Sequence, residues 1–258
     1  MRTTRLIGFF IIALMLISNG CERYTFPDSG LSNYGKLSFS EKKKLKSILK
    51  DGKLIIELVY DSSDRVVEIK KYCGDTDDAS IEKLTYNRDG QLTRRSYWGN
   101  LQDHFIYKDG RLTEMYTKNT SNPEYEKRLV YQYKGDRIYR AETFVYGKSS
   151  GFIFYEYDDK GNTTVRSEKY KTLESSSYRF SYDNKVNPFH FPDQSPIDII
   201  QRNNPVKSYV SNMLSSCMPQ EITTDYTYDA DGYPVTASSY ITEKPDVIIS
   251  SLEYIYEE

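Results

Sequence analysis

The sequence predicts an all-β protein, a long antiparallel meander of hairpins that forms an extended twisted sheet with two short helices. The first observation is that 25 of the 258 residues are tyrosine, and aromatic residues favour the half-buried surface of a sheet. The second is a tyrosine followed by a polar turn, which recurs about every 24 residues from Leu54 onward. The third is that apolar residues alternate before many of these turns, which is the period of a strand. Whether the sheet stays open or closes is left undecided.

The chain begins with an export signal, residues 1–20. Leu6–Ile17 is an apolar run that is too short to span a membrane but is typical of a signal peptide. Ser18-Asn19-Gly20-Cys21 follows this run, and a small residue directly before a cysteine at this place resembles the lipobox of bacterial lipoproteins. An ordinary secretory signal is the alternative, because Ser18 stands where that motif usually has Leu or Val. The resemblance implies cleavage before Cys21 and a lipid anchor on it, in the cell envelope and most simply in the outer membrane.

Residues 21–53 are interpreted as a polar tether followed by a short helix. The helix is predicted over Ser40–Lys50, with Ser40 as its N-cap and Gly52 just beyond its end. Its apolar stripe follows a spacing of i, i+3 and i+4 and consists of Leu45, Ile48 and Leu49.

Residues 54–258 form the repeat domain. The tyrosines that open its polar turns are Tyr60, Tyr86, Tyr107, Tyr133, Tyr157, Tyr182 and Tyr228. Several of the turns contain Asp-Gly or Lys-Gly, which supply the positive φ angles that tight hairpins need. Tyr182 and Tyr228 are 46 residues apart, about two units, so one further turn is expected between them.

Residues 188–220 interrupt this repeat. Seven of the nine prolines lie from Pro188 onward, and Ser195–Asn203 begins with Ser-Pro, a good start for a short helix. We expect the insertion to cover one face or an open edge of the sheet.

Two segments carry a resemblance to a known class. Tyr155–Asn162 and Tyr226–Gly232 resemble the Tyr-Asp repeat of bacterial YD/RHS proteins. Tyr182–Phe189, with Asn203–Lys207 after it, resembles a feature of envelope lipoproteins that have a YD-like domain of unknown function. The resemblance implies a β-rich surface lipoprotein with no known activity.

The composition and the motifs argue against several functions. Lys plus Arg number 35 and Asp plus Glu 37, so the chain lacks the basic surface of a nucleic-acid binder. Neither His104 nor His190 has a Cys or His at zinc-ligand spacing. Gly147–Gly151 fits the pattern G-x-S-x-G, but predicted strands on both sides favour a hairpin loop over a nucleophile elbow. We therefore predict no catalytic, cofactor or metal site.

These observations favour a non-catalytic cell-envelope lipoprotein, either a structural module or one that binds protein or glycan. Trp98, Tyr97 and Tyr116 are the candidate ligand-binding residues, because exposed aromatic rings stack on sugars or bury peptides. The simpler explanation is that the tyrosines only cover a thin sheet. If ligands bind through aromatic contacts alone, the affinity should tolerate salt and chelators.

Two other classes remain open. One is an enzyme of unrecognised type with a carboxylate-based site. The other is a transmembrane barrel, which the adjacent charges Lys70-Lys71 and Arg94-Arg95 argue against, because one charge of each pair would face lipid. Cys73 and Cys217 could form a disulfide in an oxidising envelope, but the sequence does not show that they meet.

Overall fold

Sixteen antiparallel strands make up the computed structural model, which describes residues 43–72, 78–97, 100–170, 173–189, 201–212 and 220–257. The strands are β1 (Leu45–Lys50), β2 (Lys53–Tyr60), β3 (Val66–Tyr72), β4 (Ala79–Tyr86), β5 (Leu92–Tyr97), β6 (Leu101–Lys108), β7 (Arg111–Asn119), β8 (Asn122–Lys134), β9 (Arg137–Val145), β10 (Lys148–Tyr157), β11 (Thr163–Tyr170), β12 (Leu173–Tyr182), β13 (Pro205–Asn212), β14 (Gln220–Tyr228), β15 (Pro234–Ile241) and β16 (Lys244–Tyr256). Each strand pairs with its neighbours in the chain, and β1 also pairs with β16, which closes the sheet into a barrel.

The prediction of an extended sheet with two short helices is therefore wrong. The closing pair joins Ile48 to Tyr254 and Lys50 to Leu252. It satisfies the backbone groups of β1 and β16 that an open sheet would leave at its edges. Within the described ranges there is no helix, and residues 201–203, the described end of the second predicted helix, are loop.

The first predicted helix fails for a local reason. Of its described residues, 43–50, Leu45–Lys50 form β1, and the register with β16 shifts between Leu45 and Ser47. Such a bulge adds one residue to the strand, so that two residues three apart can face the same side. Leu45 and Ile48 are accordingly both buried, and their spacing imitates a helical stripe.

The polar turns after β2, β4, β10 and β14 share one geometry. In the turn after β4, the Asn87 Oδ1 atom accepts hydrogen bonds from the backbone N–H groups of Asp89 and Gln91, at 3.0 and 2.9 Å. Gly90 in the same turn has a φ of 80°, a conformation that glycine adopts without the clash of a Cβ atom. The turns that follow even-numbered strands lie at one end of the barrel, called here the first rim, and the other turns lie at the second rim.

At the first rim, the connection from β12 to β13 lies in the interval where an extra turn was expected, and its residues 183–189 and 201–204 are described. The backbone N–H of Asp183 donates to the Asn204 carbonyl oxygen at 3.1 Å, the contact that closes the shorter turns four residues on. The described residues of this interval hold the strands β13 and β14 and no further hairpin, and residues 190–200 lie outside the described ranges. Within residues 188–220, β13 is a strand of the barrel wall between β12 and β14.

The two faces of the barrel wall differ in polarity. The inward side chains form one large apolar cluster that includes Leu45, Ile48, Ile56, Leu58, Leu84, Phe105, Leu112, Met115, Leu129, Ile153 and Leu252. Phe189, in the connection between β12 and β13, packs against this cluster. The outward side chains that alternate with them are largely polar. The described part of the chain contains no helix that is long and apolar enough to cross a membrane.

Tyrosines near the ends of even-numbered strands link neighbouring hairpins at the first rim. The Tyr86 phenol, at the end of β4, donates to the carbonyl oxygen of Val66, at the start of β3, at 2.7 Å. The tyrosines that make this kind of bond are Tyr60, Tyr86, Tyr107, Tyr133, Tyr182, Tyr226 and Tyr256, called here the tyrosine crown. The two strands that each phenol links are connected through the chain by a turn at the second rim. The phenol therefore provides a link between them at the first rim, where no turn connects them.

Candidate functional site

The three predicted ligand-binding residues do not form one site. Trp98 lies outside the described residues, as does Cys21. Tyr97 is on the inner wall, where its phenol donates to the Asp103 Oδ1 atom at 3.2 Å. Tyr116 lies between the inward residues Met115 and Thr117 and therefore faces outward, where its phenol donates to a neighbouring carboxylate at 2.7 Å. The inner and outer surroundings of these two tyrosines are separate candidate sites.

The inner candidate is a cluster of charged residues contributed by β3 to β6, called here the inner ionic cluster. It consists of Lys71, Glu82, Arg95 and Asp103. Arg95 donates to the Asp103 Oδ2 atom from Nε at 3.0 Å and from Nη2 at 2.6 Å. The hydroxyl of Thr117 donates to Asp103 Oδ1 at 2.7 Å. The Asp103 carboxylate is therefore fully engaged.

The second carboxylate of the inner ionic cluster is also neutralised. Lys71 forms an ion pair with Glu82. Burial raises the pKa of the Glu82 carboxyl, but Lys71 and Arg95 outweigh it, so the pKa lies below the ordinary value of 4.5. A general acid needs a raised pKa so that it still holds a proton near neutral pH. Glu82 is held ionised and is unsuited to that role.

A further buried ion pair lies on the inner wall of β11. Arg166 is fully buried, contacts Glu168 at 2.7 Å and has its guanidinium 5.4 Å from the centroid of the Tyr178 ring. Burial raises the pKa of Glu168, but Arg166 more than compensates and the net shift is downward. Across the described ranges, no group of three or more His, Cys, Asp or Glu side chains could hold a metal ion.

The outer candidate is a series of aromatic rings with cations lying over them. The Arg128 guanidinium is 5.6 Å from the centroids of both the Tyr116 and Phe144 rings. Strand β10 adds Phe152 and Phe154, whose ring centroids are 6.2 Å apart. These phenylalanines were not among the predicted site residues, although they alternate with the inward Ile153 and Tyr155 of the same strand. Large apolar residues at four consecutive positions of this strand indicate that both of its faces carry such side chains, and this pattern could have identified the outer rings.

The motif Gly147–Gly151 belongs to the β9–β10 hairpin, as the sequence analysis predicted. Its central Ser149 is exposed and donates to the Glu142 Oε1 atom at 2.7 Å. No strand-to-helix turn surrounds it in the described residues, which is the arrangement that a nucleophile elbow requires. Cys73, Cys217 and His190 lie outside the described residues.

Solved structures of similar fold are known, whereas no protein-family model and no curated protein matches the sequence. A porin-like protein from Bacteroides uniformis has 14% sequence identity and a TM-score of 0.52, over 78% of this chain and 90% of that one. A porin-like protein from Bacteroides vulgatus has 15% identity and a TM-score of 0.53, over 84% of this chain and 99% of that one. At such identities the likeness concerns the fold alone.

Proposed function

We propose that this protein is a non-catalytic lipoprotein of the cell envelope, held by lipid on Cys21, whose barrel stands in water and binds glycan or protein through its outer surface. The observation that carries this proposal is the polarity of the barrel wall. Most inward side chains are apolar and most outward side chains are polar or charged, the inner ionic cluster and the Arg166–Glu168 pair being inward exceptions.

A barrel that spans a membrane has the opposite arrangement, with an apolar band facing lipid and a polar interior. Here Lys83, Arg128, Arg140 and Arg179 face outward, each at least three residues from either end of its strand. An Arg or Lys that faces lipid near the bilayer midplane costs about 2–4 kcal/mol. Four of them would cost roughly 8–16 kcal/mol, comparable to the whole stability of a domain. The likeness to porin-like proteins concerns the fold alone and does not decide which medium the outer wall faces.

The inner carboxylates support a non-catalytic function. Glu82, Asp103 and Glu168 are each paired with a cation, and the pKa values of Glu82 and Glu168 are lowered. Enzymes that use two carboxylates push the two pKa values apart, so that one group is protonated and the other ionised. The paired arrangement instead suits a polar layer that sets the packing of the barrel interior.

The relation to YD repeats is supported by the turns and the tyrosine crown. In the motif, a tyrosine is followed by Asp or Asn, and in this structure the two residues make different hydrogen bonds. In the unit that ends in Tyr86-Asn87, the tyrosine joins two hairpins and the asparagine holds the turn. A repeat built in this way is a scaffold, which agrees with a structural or binding function.

The test separates a lipid-tethered barrel from a spanning one. Full-length protein and the Cys21→Ala variant are expressed with labelled palmitate, and the cells are fractionated. We expect label only in the wild type, and we expect Cys21→Ala to be folded and soluble without detergent. The Cys73→Ala variant is the matched control and should remain labelled and membrane-bound.

Either of two results would contradict the proposal. Equal palmitate incorporation into Cys21→Ala would reject the anchor. Retention of Cys21→Ala in the membrane after a carbonate wash would reject a barrel that stands in water.

A further inference from the structure

Three cations on the outer wall between β9 and β13 lie on aromatic rings. They are Arg140 over Phe152 at 4.7 Å, Lys169 over Phe154 at 5.2 Å, and Arg179 over Tyr209 at 5.9 Å from the ring centroids. A cation stacked on a ring face is held in place and keeps its full charge. These three contacts therefore position cations without neutralising them.

Other cations of the outer wall are held by carboxylates. The pairs are Lys70 with Glu57 at 2.9 Å, Lys83 with Glu68 at 3.5 Å, and Arg128 with Glu114 at 2.9 Å. Arg140 instead donates from Nε and Nη2 to the amide oxygen of Gln132, at 3.1 and 2.8 Å. Among the described residues, neither Arg140 nor Arg179 makes an ion pair. Their remaining N–H donors suit the bidentate binding of a carboxylate.

The wall between these two arginines is suited to an extended ligand. Arg140 is on β9 and Arg179 is on β12, three strands away and two residues beyond the register partner Ser177, which is roughly 16 Å at the usual strand spacing and rise. In register with Arg140, Phe154 follows on β10 and Ser167 on β11. A single small anion cannot reach both arginines, whereas a chain that crosses the strands can contact both and lie on the ring and hydroxyl between them.

We propose that this strip, from Arg140 across Phe154 and Ser167 to Arg179, binds an acidic polysaccharide. Two carboxylates of the polymer accept hydrogen bonds from the two guanidinium groups, and the sugar rings between them lie across Phe154 and the Lys169 stacked on it. The inference rests on the proposed function, because the outer wall must face water, and it names the class of ligand. It also changes the expected salt dependence, since the aromatic rings here act together with charge.

An acidic peptide fits the strip less well. A bound extended peptide usually adds to the free edge of a sheet, where its backbone groups find partners. Strands β10, β11 and β12 are each paired on both sides, so this part of the wall has no free edge. A polysaccharide has no peptide backbone to satisfy, and its hydroxyl groups can bond to side chains such as Ser167.

Two outward carboxylates lie near the strip: Glu142, which accepts a hydrogen bond from Ser149, and Glu156, which provides a test in the opposite direction. Glu156 is exposed and lies in the same row as Arg179, separated from it by Val165 on β11. No ion pair joins Glu156 to Arg179 among the described contacts. Glu156 should repel an acidic ligand, so its removal should strengthen binding.

The test measures binding of polygalacturonate by calorimetry to the full lipoprotein purified in a neutral detergent. We expect Arg140→Gln/Arg179→Gln to weaken binding at least tenfold. The matched control, Lys70→Gln/Lys83→Gln, removes two paired charges elsewhere on the wall and should change the affinity less than twofold. Glu156→Gln should tighten binding about twofold, and binding to the wild type should weaken as NaCl is raised to about 0.3 M, because salt screens exposed charges.

Several outcomes would overturn the inference. One is that polygalacturonate does not bind, and another is that the two double variants lose the same affinity for it. A third is that the methyl-esterified polymer binds as tightly as polygalacturonate. A fourth is that poly-glutamate binds as tightly, which would indicate an acidic protein partner. Thermal unfolding shows whether each variant folds, and the Glu156→Gln result stands independently of the arginine variants. Because the protein is in detergent, a failure here is distinct from failure of the Cys21→Ala solubility test.

Discussion

The tyrosine crown can be tested at a single hydroxyl group. Tyr86→Phe keeps the ring and its buried area and removes only the phenol that donates to the Val66 carbonyl at 2.7 Å. A hydrogen bond of this kind contributes about 0.5–1.5 kcal/mol, and a buried acceptor left without its donor costs about 1–3 kcal/mol. Val66 is 2% exposed, so water does not readily replace the phenol. We expect a loss of about 1–2 kcal/mol in the free energy of unfolding.

The assay is thermal and urea unfolding followed by circular dichroism at neutral pH. For a domain of this size the expected loss lowers Tm by roughly 2–8 °C. Tyr146→Phe is the control, because Tyr146 lies at the second rim and is 61% exposed. The control should change stability by less than about 0.5 kcal/mol. If Tyr86→Phe and Tyr146→Phe have the same stability, the crown does not hold the hairpins together.

Alkaline pH gives a second readout for the same variant. Burial raises the pKa of Tyr86 above its ordinary value of 10.0. The unfolded chain therefore loses this proton first, and its ionisation favours unfolding as pH rises above 10. Stability from Tyr86 is fully present below pH 10 and is lost above it. The difference between wild type and Tyr86→Phe should shrink as pH rises from about 9 to about 11, and a constant difference would refute the argument.

Three further predictions concern the barrel wall and its interior. Gly151→Ala would place a Cβ atom 2.2 Å from a backbone oxygen of β11, so urea unfolding should show that the free energy of unfolding falls by at least about 3 kcal/mol. For the control Gly90→Ala the loss should be about 1–2 kcal/mol, because Gly90 has open space around it and only an unfavourable φ. Asp103→Asn leaves the Arg95 guanidinium buried without its anion and should cost about 3–5 kcal/mol, whereas Arg95→Met/Asp103→Leu should recover most of that loss. The pKa of Glu82 is lowered, so its stabilisation is present above pH 4.5 and lost as pH falls. The stability of wild type should therefore fall more steeply than that of Glu82→Gln below pH 4.5, and parallel acid-unfolding curves would contradict this.

The turns were predictable because their interactions are local. Tyr86, Asn87 and Gly90 lie within five residues, and the turn is closed by a side chain and a glycine of that same segment. A polar turn with glycine between two alternating segments specifies a hairpin without reference to the rest of the chain. The positions of most strands follow from these turns.

The face on which a side chain lies was harder to predict, because bulges change the alternation. Counting every second residue from Leu112, which is buried, places Tyr116 inside the barrel. The register of β6 with β7 shifts between Ile106 and Tyr107, so that Met115 is the next inward residue and Tyr116 faces out. One extra residue in a strand moves every later side chain to the other face. Tyr97 and Tyr116 are separated for this reason, and the outer rings at Phe152 and Phe154 were not recognised.

The sequence by itself determined the antiparallel order of the hairpins and the tyrosines that mark their turns, because both depend on contacts between residues near one another in the chain. Only the tertiary structure decided that the sheet closes. The bonds between Ile48 and Tyr254 join the two ends of the chain, and no local pattern in either strand names its partner. Closure also decided which face of every strand is enclosed. It places most apolar side chains inside and leaves the arginines of β9 and β12 on the outer face, because an interior position is defined only once the first and last strands meet.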